Sequence, residues 1–88
     1  MKHFATPSYW YHYRQLPPEI RELADRSFAL LKEDPRYPSL RFRKLQDSPL
    51  WSVRVGLHYR ALAKARSEGY VWFWIGHHSE YDQLVAAL

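Results

Sequence analysis

The residues best suited to chemistry lie in two short stretches of the sequence. Residues 70–82 read YVWFWIGHHSEYD, an apolar run followed by a glycine, two histidines and a tyrosine. Residues 50–62 read LWSVRVGLHYRAL and carry Arg54 and Arg60. An unperturbed imidazole titrates near neutral pH, so His78 can give or take a proton. A guanidinium is a fixed positive charge that meets negative charge as it develops. Tyr81 can stack on a base or donate a proton. Brought to one end of a sheet, these groups suit a reaction in which a proton moves while negative charge builds up. Arg41, Arg43 and Lys44 could add phosphate contacts.

Each of these residues also has a plainer reading. Exposed arginine is the usual state, so Arg54 and Arg60 could simply be solvated. His77 suits a core or capping role, and His78 a surface one. Tyr81 also begins an apolar stripe with Leu84, Val85 and Leu88. Arg41, Arg43 and Lys44 could be the charged edge of a sheet that resists aggregation. Trp72 and Trp74, in phase with His78, read as core side chains of a covered strand before they read as stacking platforms. Adjacent histidines rarely chelate one ion from a strand, and no carboxylate cluster suits magnesium, so neither metal nor cofactor is expected.

The elements that must position these residues follow from the pattern. Residues 70–75 are apolar in both phases, which predicts a central strand covered on both sides. Trp51, Val53 and Val55 alternate with Ser52 and Arg54, and Tyr59, Ala61 and Ala63 alternate with Arg60 and Leu62. Both arginines therefore turn away from the apolar face. If the last strand continues past Ile75, His77 turns inward and His78 outward. Ser79 and Asp82 have the spacing of a capping box for a final helix. Upstream, Thr6 and Pro7 open a short helix with Trp10, Tyr13 and Leu16 inward, and Pro17 closes it. Residues 18–33 form the clearest helix, with Ile20, Leu23, Ala24, Phe28 and Leu31 at helical spacing. Residues 40–45 alternate as an edge strand or extended loop, and Phe4 packs inward from an opening strand. The order predicts an α+β domain spanning residues 1–88. A helical hairpin packs on one face of a small, mainly antiparallel twisted sheet, with a short C-terminal helix.

The composition agrees with a folded chain: 47% of its 88 residues are hydrophobic and 17% aromatic. There are no cysteines, which excludes disulfides and thiolate metal sites. With no bilayer-spanning run and no apolar leader in MKHFATPSYW, a cytoplasmic protein is expected. A net charge of +4 points to a nucleic-acid or acidic protein partner, or to a merely basic surface.

Leu50, Trp51, Arg54, Gly56, Tyr59, Arg60, Ile75, Gly76, His78 and Tyr81 stand in an order and spacing that resembles the RelE/ParE superfamily of toxins from type II toxin–antitoxin pairs. The hairpin PPEIRELADRSFALLKEDPR also fits that family's early helices. The resemblance implies a toxin with a cognate antitoxin, joined in a hetero-oligomer. Its RelE branch implies a ribosome-dependent, metal-independent endoribonuclease that cuts messenger RNA. There Arg60 and Arg54 would stabilise the transition state, and His78 and Tyr81 would move protons. Its ParE branch implies instead a protein-binding inhibitor of DNA gyrase. Three departures stand out: Leu57-His58 adds a residue before Tyr59, His77-His78 replaces a basic pair, and Ser52 replaces a basic residue. They admit a third reading, a catalytically weakened relic.

Overall fold

A computed structural model describes residues 2–88. Its elements are β1 (Lys2–Ala5), α1 (Pro7–Arg14), α2 (Pro18–Glu33), β2 (Arg43–Lys44), β3 (Leu50–Val55), β4 (Tyr59–Arg66), β5 (Gly69–His77) and α3 (His78–Ala86). Local chemistry sets most of these bounds. Thr6 caps α1 through its hydroxyl, which accepts the Tyr9 N–H at 3.1 Å, and Pro7 fills the first turn. Pro18 opens α2 behind Pro17, with Glu19 in the first turn and Lys32 in the last, each at the favourable end of the helix dipole. The β3–β4 hairpin turns at Gly56, whose φ of +64° suits glycine.

The sheet runs in the order β1-β5-β4-β3-β2, with β1 parallel to β5 and the other pairs antiparallel. β5 is therefore an interior strand, as its apolar run predicts, while β4 takes the middle. The helical hairpin covers one face. Tyr9, Leu16, Ala24 and Leu31 pack there against Val53, Val55, Ala61, Ala63, Trp72 and Ile75. The opposite face is not bare. Leu45, Leu62, Trp74 and Tyr81 form a second, smaller cluster under α3.

Three side-chain placements and one strand differ from expectation, and each has a local cause. β5 carries a bulge: Leu62 aligns with Trp74 but Ala63 with Trp72, leaving Phe73 as the extra residue. The bulge inverts the phase, so Trp72 joins the helix-side core and Trp74 the other. Phe4 points outward, 45% exposed, and His3 points inward instead. The parallel register aligns His3 with Tyr70, whose side chain already faces the helices. His3 stacks on Tyr70 at 5.6 Å and accepts the Trp72 indole N–H at 3.0 Å. On α1, Tyr9 rather than Trp10 turns to the core, meeting Phe28 edge-on at 5.8 Å. The predicted strand over 40–45 shrinks to β2, because Pro38–Leu40 forms a 3-10 turn and Arg41 takes a left-handed φ of 44° that breaks the alternation.

Candidate functional site

Arg54 and Arg60 face each other across the β3–β4 ladder, and Arg60 lies opposite Gly76 on β5. Gly76 bears no side chain, and the Trp74 ring occupies that space: an added Cβ would lie 2.5 Å from Trp74 Cζ2. The end of the sheet is thus floored by an indole and lined by guanidiniums. Backbone carbonyls hold both arginines in place. Arg54 Nε donates to the Gly56 carbonyl at 3.1 Å, and an Arg60 terminal nitrogen donates to the Tyr59 carbonyl at 2.7 Å. Partial burial pushes Arg60 below the ordinary arginine pKa, and the neighbouring Arg54 charge pushes the same way.

The strand-to-helix switch brings the second set of groups to this place. β5 ends at His77 and α3 begins at His78. His77 is the helix cap, its Nδ1 accepting the Ser79 N–H at 3.2 Å. This corrects the predicted capping box: Ser79 already lies inside the helix, so it cannot cap it, and Asp82 is free for another role. Asp82 Oδ2 lies 3.8 Å from His78 Nδ1, an ion-pair distance. The Tyr81 ring packs with Leu45, Leu62 and Trp74, and its hydroxyl donates to Ser52 Oγ at 3.2 Å. A long basic side chain at 52 would fill the place of that buried hydrogen bond.

These residues share one cavity of about 330 Å³, lined by Arg41, Arg43, Ser52, Arg54, Arg60, His78, Tyr81 and Asp82. Arg43 reaches it because β2 pairs it with Ser52, whose side chain faces that way. Lys44, expected beside it, pairs with Trp51 and falls on the other phase, outside the cavity. Trp72 is 2% exposed and offers no stacking surface. Asp82 is the lining residue that sequence reasoning missed; its i,i+4 spacing from His78 was the available signal. With four guanidiniums and one carboxylate on its walls, the cavity attracts anions. The geometry offers fixed positive charge, an imidazole and a phenol within one small space. A larger, mostly apolar groove of about 610 Å³ lies between α2 and the β3–β4 turn and carries no comparable acid–base set.

Among the described residues no helix is long and apolar enough to cross a membrane. A family model described as the ParE-like toxin domain matches residues 18–83. Comparison with curated proteins finds no match. Among solved structures, the chain is similar to the RelB-RelE antitoxin-toxin complex of Methanococcus jannaschii, with TM-score 0.71 and 16% identity over 91% of this chain and 96% of that one. The intact Escherichia coli RelBE toxin-antitoxin complex gives 0.63 and 14%, covering 85% of this chain and 93% of that one. The Mycobacterium tuberculosis RelBE2 complex gives 0.61 and 24%, over 86% and 95%. At such identities these likenesses speak to the fold.

Proposed function

This chain belongs to the ParE-like toxin domain family, the toxins of type II toxin–antitoxin systems, and from that premise we propose that it is a ribosome-dependent endoribonuclease that cuts messenger RNA. The observation that carries this reading is the cavity in which His78 and Tyr81 stand among Arg41, Arg43, Arg54 and Arg60. In this reading the 2′-hydroxyl of a nucleotide gives up its proton and its oxygen attacks the adjacent phosphorus. The bond to the 5′-oxygen breaks, and that oxygen takes a proton. The products are a cyclic phosphate and a free 5′-hydroxyl. The phosphorus passes through a state with more negative charge on its oxygens, which Arg60 and Arg54 meet without reorganising. His78 supplies proton transfer, and the Tyr81 hydroxyl is the second proton-bearing group. Arg41 and Arg43 hold the flanking backbone. None of these steps is assigned to a metal ion.

The partners in this reading are the ribosome with its message, and a cognate antitoxin. Complexes with RelB among the structural relatives and the basic, anion-seeking cavity support a partly acidic antitoxin segment that covers the site. The ParE-like name of the family keeps a second reading in play, the one the ParE branch implies: inhibition of DNA gyrase through protein contacts. Induced expression without a partner separates the two. We expect growth arrest with messages cut within the ribosomal A site, read by toeprinting. DNA breaks with intact messages would select the gyrase reading, and unhindered growth at high soluble expression would sink both.

A further inference from the structure

His58 has no part in the reaction above, yet it joins His77 and His78 to form a compact imidazole cluster. The three come from separate elements: the β3–β4 turn, the last residue of β5 and the first residue of α3. A backbone hydrogen bond clamps them, the His78 N–H donating to the His58 carbonyl at 2.7 Å. The rings of His77 and His78 lie 4.4 Å apart, and that of His58 lies 6.1 and 5.9 Å from them. One nitrogen from each residue falls within 4.8 Å of the other two. A pair on a continuing strand would diverge, but the strand ends at His77, so both imidazoles stay at the same end.

We propose that His58, His77 and His78 bind one transition-metal ion of the zinc class. A tetrahedral ion with metal–nitrogen bonds of about 2.0–2.1 Å holds its ligands about 3.3 Å apart, so the cluster needs to close by roughly 1.5 Å at most. The exposed His58 side chain can supply that by rotation. Three neutral imidazoles suit Zn²⁺, Ni²⁺ or Cu²⁺, and not the oxygen-seeking Mg²⁺ or Ca²⁺. The surroundings direct the nitrogens. Binding through Nε2 moves the His77 proton to Nδ1, which gives up the Ser79 N–H it accepts as the helix cap and donates instead to Ser79 Oγ, 3.0 Å away. Asp82 Oδ2, 3.8 Å from His78 Nδ1, places a carboxylate behind that imidazole at ion-pair distance. The Arg60 guanidinium, 3.4 Å from the Leu57 carbonyl in the same turn, opposes the ion's charge. Asp82 by His78, and Glu80 in the hollow beside His77, offset it. The fourth position is left to water. A bound ion takes the lone pair with which His78 would accept a proton, so metal loading switches the cavity off; this consequence rests on the cleavage reading.

The test uses untagged full-length protein stripped by chelator and titrated with Zn²⁺ by calorimetry, and with Co²⁺ by visible absorption. We expect a single site and the intense absorption of tetrahedral Co²⁺. His58→Ala should weaken binding on the order of 10–100-fold with an unchanged circular dichroism spectrum. His12→Ala, outside the cluster, should bind as the native chain does. Absence of binding up to millimolar Zn²⁺, or equal affinity in His58→Ala, overturns the site. A parallel cleavage assay should show Zn²⁺ inhibiting the native protein, and His58→Ala cutting normally but resisting Zn²⁺. Binding that depends on His58 in a protein that never cuts RNA would keep the metal site and discard the nuclease reading.

Discussion

Arg60 is where charge, burial and position converge on one side chain. It is tethered to the Tyr59 carbonyl, it faces Arg54, and it lines the same cavity as His78. Losing a fixed donor to a developing anion costs on the order of 10²–10³ in rate. Losing a general acid or base costs about 10²–10⁴. We expect Arg60→Ala to disable cleavage more than His78→Ala, because water or the Tyr81 hydroxyl can partly replace an imidazole. Arg54, the guanidinium directly across the ladder from Arg60, is already held by the Gly56 carbonyl and is not free to take its place. Single-turnover cleavage on programmed ribosomes, with circular dichroism as folding control, measures the order; native-rate cleavage by folded Arg60→Ala would place the site elsewhere. At this scale the sequence spoke clearly for Arg54 and Arg60, since period two alone set their face. It was silent on His58 and Asp82, whose roles depend on where β5 gives way to α3.

Elements were legible where local rules decide and illegible where a neighbour decides. Prolines and apolar spacing marked α2 from Pro18 to Glu33, and the structure agrees at both ends. The phase of β5 could not be followed through Phe73, because a run apolar on both faces contains no reference from which to detect a bulge. β1 shows the same dependence: its inward residue is chosen by the Tyr70 and Trp72 rings beside it, and that residue is His3. Burial, with Lys32 adding to it, holds His3 below the ordinary histidine pKa of 6.5. A base with a depressed native pKa is charged more readily in the unfolded chain, so the unfolded state gains protons first as pH falls. Its contribution is present above the unfolded value of 6.5 and is lost as pH drops from there through the native value. Thermal midpoints should therefore fall between pH 7 and pH 5, and His3→Gln should flatten that part of the profile. An unchanged slope in the variant would remove His3 as the cause.

For the molecule as a whole the net charge is +4, and the cavity walls alone carry four arginines against one aspartate, Asp82. Each phosphate neutralised on a single strand steepens the salt dependence of log K by about 0.7. If all four cavity arginines make such contacts, affinity for a short single-stranded RNA should fall with log salt at a slope of roughly −3, and Arg43→Ala should reduce it by about 0.7. A slope near zero would mean that the cavity does not grip a phosphate backbone. The overall architecture was the most legible level of all: two helices over an antiparallel sheet follow from segment order. That the second face would be closed by α3 and Leu45 was not, since it depends on where a short helix lies down.

The pairing of β1 with β5 joins the first strand to the last, Lys2 lying beside Gly69. It is the one strand pair in the sheet made by distant segments, whereas β3, β4 and β5 follow one another as a meander. Loop-closure entropy grows with the length enclosed, so local hairpins form early and such a closing strand adds late. On an elongating polypeptide, β1 must wait until β5 has been made. The cavity end of the sheet, built on β3, β4 and α3, needs nothing from β1 directly, but Trp72 lacks its His3 partner until β1 arrives. Pulse-labelled hydrogen exchange during refolding should protect the amides of β4 before those of β1. Simultaneous protection would mean that the whole sheet condenses in one step.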